Sequence, residues 1–168
     1  LKPSLVYSVD DKFTTMLFNI LKLSPIFPIY YNGKTVFHPI HVTDMCEIIE
    51  NVIQAEIKEE TIECIGPEKI SFKEIILRLL KSLKINRLII PTPLFIAKLF
   101  ASFFELTMAN PLLTKDQLIL LNYNNTTSGK YKSNLDLKLN SDIKFFDKEI
   151  SKYSYMWKQG GQFSKEKV

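Results

Sequence analysis

Between Phe37 and Ile53 the chain runs without interruption from an extended, proline-bearing segment, Phe37-His38-Pro39-Ile40-His41-Val42, into a stretch whose apolar residues Met45, Ile48, Ile49, Val52 and Ile53 recur at helical spacing. A strand that turns straight into a helix constrains the fold more than any single residue does. Strand and helix present their apolar groups with periods of about 2 and 3.6, so they share a core only as separate layers. Either Thr43 or Asp44 can cap this helix, and with Asp44 as the cap Glu47 falls where a capping-box partner belongs. On this reading Val42 packs inward, and Cys46 and Cys64 are ordinary buried thiols of a helix and a strand.

The same succession repeats downstream. Residues 61–65 form a short strand stopped by Gly66-Pro67, and Ser71 with Glu74 makes a capping box for a helix through Leu83. Its inner face carries Phe72, Ile75, Ile76, Leu79, Leu80 and Leu83, after which Leu88-Ile89-Ile90 is another β run closed by Pro91-Thr92-Pro93. Upstream, residues 1–7 read as a strand and residues 11–23 as a helix with Phe13, Leu17, Ile20 and Leu21 on one face. Pro25 and Pro28 make residues 26–31 a connection, and Asn32-Gly33 a turn into a strand at 34–37. The alternation predicts an α/β fold in one domain over residues 1–158, with 159–168 a flexible tail.

Residues 94–109 are apolar nearly all round, relieved only by a stripe of Lys98, Ser102 and Glu105. Neighbouring segments, a partner protein or a membrane surface could each cover such a helix. Thr114 and Gln117 make a third capping box before a helix at 115–121, residues 122–134 read as a polar loop, and 142–155 as the last helix.

The net charge of +4, from 22 basic and 18 acidic residues, is spread along the chain and argues against nucleic-acid binding. No leader of signal-peptide type is visible. The chain opens on Leu1 in the middle of a strand, which predicts the tail of something longer, poorly stable alone, with strands at Leu1 and Thr61 lacking partners.

Candidate chemistry is sparse. His38 and His41 lie on opposite sides of an extended segment and cannot easily share a metal, and no glycine-rich phosphate cradle exists among five glycines. Tyr30 and Lys34 match the Tyr-x-x-x-Lys spacing, but Pro28 and Asn32-Gly33 argue for a turn where that pair needs a helix.

Three segments in order, Lys2-Pro3-Ser4-Leu5-Val6-Tyr7, Phe37 to Met45, and Gly66-Pro67-Glu68-Lys69-Ile70-Ser71, resemble the C-terminal half of extended and atypical short-chain dehydrogenases/reductases. Together with Asn110-Pro111-Leu112-Leu113-Thr114-Lys115-Asp116-Gln117, they look most like the nucleotide-binding accessory subunit of respiratory complex I and its bacterial relatives. The resemblance implies the C-terminal part of a Rossmann-like NAD(P)-binding fold with a small mixed α/β substrate-side subdomain. It implies Pro3 and Ser4 on the nicotinamide side of an NAD or NADP site, most of that cofactor being bound by a half that is absent. It implies no catalytic residue in the chain itself, whose role would be structural or stabilising. Complex I subunits would be the partners, at a cytoplasmic or mitochondrial matrix location peripheral to the inner membrane. The alternative is the substrate-binding half of an NAD(P)-dependent epimerase, dehydratase or reductase acting on a nucleotide sugar or similar molecule. Lys2 in place of the usual arginine, and Ser8-Val9 in place of a Gly-Pro turn, are departures from the pattern.

Overall fold

The computed structural model describes residues 1–107, 113–158 and 160–161, without the side chain of Phe104. Met108 to Leu112, and with them the Asn110-Pro111-Leu112 part of the motif above, lie outside the described residues, as do Gln159 and residues 162–168 of the expected tail.

The elements run β1 (Lys2–Pro3), β2 (Val6–Tyr7), α1 (Lys12–Leu23), β3 (Ile26–Ile29), a 3-10 turn (Tyr31–Gly33), β4 (Val36–Phe37), β5 (Ile40–His41), α2 (Val42–Gln54) and β6 (Glu63–Cys64). There follow β7 (Ile70–Ser71), α3 (Phe72–Leu83), β8 (Leu88–Pro91), α4 (Leu94–Thr107), α5 (Lys115–Leu120) and α6 (Phe146–Tyr153), which passes into a 3-10 turn (Ser154–Trp157). The fold is thus α/β. Parallel pairs β1–β6, β2–β5 and β3–β8 accompany one antiparallel pair, β4–β7.

Two apolar cores result among the described residues. The larger gathers Leu17, Phe18 and Leu21 of α1, Ile75, Ile76 and Leu79 of α3, Phe27 of β3 and Ile150 of α6. The smaller joins Ile40, Ile48, Ile62, Cys64 and Leu139. Helix α3 forms where the sequence predicts, with half of its expected capping box: the Ser71 hydroxyl accepts from the Glu74 N–H at 3.2 Å, while the Glu74 carboxylate turns to Arg78; the inner face is buried, and Lys84 ends the helix in the left-handed region at φ 57°. Arg78 on its outer side binds Glu74 at 2.7 Å, Glu68 at 3.1 Å and Asp147 at 3.4 Å, joining the β6–β7 connection and α6 to α3.

Residues 26–29 make a strand where two prolines predict a connection. Leu88 N–H donates to the Pro25 carbonyl and Thr92 N–H to that of Ile29, so alternation turns the nitrogen of Pro28 away from β8, where a missing N–H costs nothing. The strands at Leu1 and Thr61, expected to lack partners, pair with each other as β1 and β6. The far side of β6 is covered by the stretch read as a plain loop: Glu63 N–H donates to the Lys132 carbonyl at 3.0 Å and Asn134 N–H to that of Glu63 at 3.0 Å.

Asn134, 1% exposed, completes this edge. Its Oδ1 accepts from the Ile65 N–H at 2.7 Å and its Nδ2 donates to the Ile65 carbonyl at 3.1 Å, so a side-chain amide serves as one peptide unit of a neighbouring strand. Nearby Gly66 backs onto Pro39, and a Cβ there would collide with the Pro39 carbonyl. Further on, Asn140 Nδ2 donates to the Asp44 carbonyl at 3.0 Å and Ser141 N–H to Glu47 at 3.0 Å. Lys144 N–H donates to the Asp44 carboxylate at 2.9 Å. These bonds hold residues 140–145 across the start of α2, so the last helix begins at Phe146 and not at Asp142.

Several sequence expectations change at α2. His41, not Thr43 or Asp44, is the N-cap, Glu47 bonds to Ser141 instead of closing a capping box, and Val42 is 38% exposed instead of packing inward. Ile53 at 70% and Cys46 also face outward, because the covering segment reaches only the side of α2 that bears Ile48. Among the described residues no helix is long and apolar enough to cross a membrane.

Replacing Asn134 with alanine strands two buried backbone groups, so the variant is expected to lose roughly 2–6 kcal/mol, at about 1–3 kcal/mol for each group. Urea unfolding followed by circular dichroism measures this, and a loss below about 1 kcal/mol would contradict the assigned role.

Candidate functional site

The sequence marks Pro3 and Ser4, and the structure makes Ser4 a three-way junction. Its N–H donates to the Cys64 carbonyl at 2.9 Å, its hydroxyl donates to the Asn125 carbonyl at 2.6 Å, and the same oxygen accepts from the His38 N–H at 3.2 Å. Ser4 therefore ties β1 to β6, to the 124–125 loop and to the approach of β5. Lys2 and Ser4 direct their N–H groups to β6, which turns Pro3 to the open edge, where proline leaves no donor unpaired. Pro3 is exposed there.

Asn125 also joins this junction to a groove. Its N–H donates to the Val36 carbonyl at 2.8 Å, and the Asn124 Oδ1 accepts from the Val36 N–H at 2.9 Å. From this end a cavity of about 840 Å³ runs along α1, the β3–β8 pair, the start of α4 and α5. No sequence motif marks it, because its walls come from elements widely separated along the chain.

A second group, beyond β2, is polar and buried. The Tyr7 and His41 rings meet edge to face at 5.2 Å, and Tyr7 packs on Phe146 at 4.9 Å. His41 Nδ1 accepts the Thr43 N–H at 3.3 Å and lies 2.8 Å from the Thr43 hydroxyl, which suits a neutral ring with its proton on Nε2. Burial holds the His41 pKa below its ordinary value, opposed by the charges of Glu149 and Asp44. Burial likewise lowers His38, with help from Lys69, and raises Asp44 against the bond from Lys144. It also pushes the Tyr7 hydroxyl far above the phenol range, Glu149 adding to the effect. The group is thus a protonated phenol beside a neutral imidazole, built to seat α2. Sequence reading passed over Tyr7 and the burial of Asp44, since an acidic residue in the first turn of a helix reads as an exposed cap.

The two histidines do not come together on a metal, and among the described residues no cluster of three or more candidate ligands could hold one. Tyr30 and Lys34 flank the 3-10 turn, with Asn32 at φ 55°, so the helical stacking that such a pair needs is absent, as the sequence predicts. Tyr30 is buried and its hydroxyl is pushed up to about 12 by that burial, while Lys34 is exposed.

No protein-family model matches the chain, and no curated protein matches it. Solved structures do. TunA, an NAD-dependent NDP-hexosamine 5,6-dehydratase involved in tunicamycin biosynthesis, matches with a TM-score of 0.55 at 12% identity, over 92% of this chain and 44% of that one. UDP-glucuronic acid 4-epimerase from Bacillus cereus, solved with UDP-glucuronic acid and NAD, matches with a TM-score of 0.44 at 18% identity, over 75% and 39%. The chain spans less than half the length of either structure. The likeness to the dehydratase is one of fold: the chain has the architecture of part of that α/β enzyme.

Exposed Pro3, beside a Ser4 hydroxyl whose donor and acceptor are both engaged, presents an open backbone edge. Neither Gly66, which packs on Pro39, nor Gly33, which at φ 66° packs on Lys73 and Ile29, is placed to cradle a pyrophosphate.

The histidines predict a pH response. Each holds its proton less tightly in the fold than at the ordinary value near 6.5. Their stabilising effect is therefore complete above that value and is lost as pH falls from it towards the lower folded values. The melting temperature should fall between about pH 7 and pH 5, and the double variant His38→Gln, His41→Asn should flatten that slope. Asp44, raised by burial, acts in the opposite sense within its own range. A wild-type melting temperature that rises on acidification through this range would contradict the assignment.

Proposed function

We propose that this chain is the C-terminal, substrate-side part of an NAD(P)-binding protein of short-chain dehydrogenase/reductase type. Within that type it belongs to the epimerase, dehydratase or reductase class. The observation that supports the reading is the fold shared with TunA along 92% of the chain. Pro3 and Ser4 would line the nicotinamide side, and bound NAD or NADP would supply a hydride acceptor there. The pyrophosphate cradle and the Tyr-Lys pair of such a protein would come from outside this chain. Protein isolated from its native source should release NAD or NADP stoichiometrically on denaturation, read by mass spectrometry. Release of neither would overturn the reading.

A second reading, a structural accessory subunit of the complex I type lying peripheral to the inner membrane, draws on α4. That helix is anchored by buried Ala97 and Ala101, while Phe95, Leu99 and Leu106 are 72%, 73% and 87% exposed. The Thr114–Gln117 segment that resembles the accessory subunit forms its capping box. Residues 94–109 would dock on a membrane surface or a membrane subunit. In liposome flotation the protein should rise with the vesicles, and Phe95→Ser with Leu99→Ser should abolish this. An unchanged distribution, or no flotation at all, would remove the membrane-surface reading.

A further inference from the structure

The groove beside Ser4 carries more information than its position. Its volume of about 840 Å³ falls within the roughly 300–1,000 Å³ of small-molecule sites. Among the described residues that line it, none is charged. Most of its polar side chains are already engaged with the protein. Gln117 accepts from the Thr114 N–H at 3.0 Å, the Ser24 hydroxyl donates to the Ile26 carbonyl at 2.6 Å, and that of Thr92 to the Ile90 carbonyl at 3.1 Å. The Asn124 side chain is held by Val36. The rest of the wall is Phe, Leu, Ile, Met and Pro with two tyrosines, Tyr30 and Tyr123, and with Asn125 at the end nearest Ser4.

These facts select a ligand. A nucleoside diphosphate would bring two phosphate charges into a groove with no lysine or arginine on its wall, and sugar hydroxyls would give up water for a wall that, beyond Tyr30, Tyr123 and Asn125, is apolar or already bonded. A hydrocarbon loses nothing by entering and gains by removing both surfaces from water. We infer that the groove binds a neutral, hydrocarbon-rich molecule, a long-chain or polycyclic alcohol or carbonyl compound, with its oxygen at the Asn125–Ser4 end.

The occupant's status as a substrate rests on the function proposed above, because only that reading sets a nicotinamide beside Ser4. The binding itself rests on the groove. Within the proposed class, the lining favours a reductase or dehydrogenase of lipophilic alcohols and ketones over an enzyme of nucleotide sugars.

Nile red fluorescence tests the inference on the whole chain. The dye should bind saturably to the monomer, 1-hexadecanol should displace it, and UDP-glucose should not. Ile20→Trp and Ile96→Trp, two substitutions that fill the groove from α1 and from α4, should each weaken binding at least about tenfold while circular dichroism stays unchanged. Leu99→Ser, on the outer side of α4 and away from the lining, should leave binding intact. The inference fails if binding is not saturable, if UDP-glucose displaces the dye, or if the folded tryptophan variants bind as wild type. Loss of binding in Leu99→Ser, or a signal that appears only with dimer on sizing, also defeats it. Dye binding without native NAD(P) would defeat the functional reading alone, and native NAD(P) without dye binding would defeat this one alone.

Discussion

The amide of Asn134 holds this structure together in a way that no strand does. By bonding both the N–H and the carbonyl of Ile65, it extends the edge of β6 with a side chain, and it keeps residues 132–139 against the parallel pairs. Leu139 then seals the smaller core, and Asn140, Ser141 and Lys144 reach Asp44 and Glu47 at the start of α2. The direction of α6, and with it the Arg78 clamp, follows from that course. A polar strap does what a further strand would do, because a carboxamide has the donor and acceptor of a peptide group and needs no backbone register of its own.

Ser4 plays the corresponding part on β1. Its hydroxyl gathers the 124–125 loop and the His38 backbone onto the first strand, so the opening of the groove is fixed by a hydrogen-bonded junction and not by apolar packing. That division of labour matters for function. A polar, backbone-defined end suits a reacting group, and an uncharged apolar body suits what that group is attached to.

The strand and helix alternation was legible because apolar periodicity and capping chemistry are local. The α3 stripe and the Ser71 and Thr114 caps stand where the sequence sets them. His41 shows where local reading stops. A histidine nitrogen can cap a helix only if the ring is held neutral and turned back on its own backbone, and burial against Tyr7 supplies both conditions. Pro28 inside β3 is similar, since proline is excluded from a strand only on the side that faces a partner.

Sequence by itself determined the α/β class and the positions of the main helices, for these depend on residues within a few positions of one another. Tertiary structure alone decided that β1 and β6 pair with each other, that the polar stretch after Asn122 forms an edge, and that an uncharged groove lies beside Ser4. Each of those depends on groups tens of residues apart meeting in space, and no periodicity or spacing along the chain encodes such a meeting.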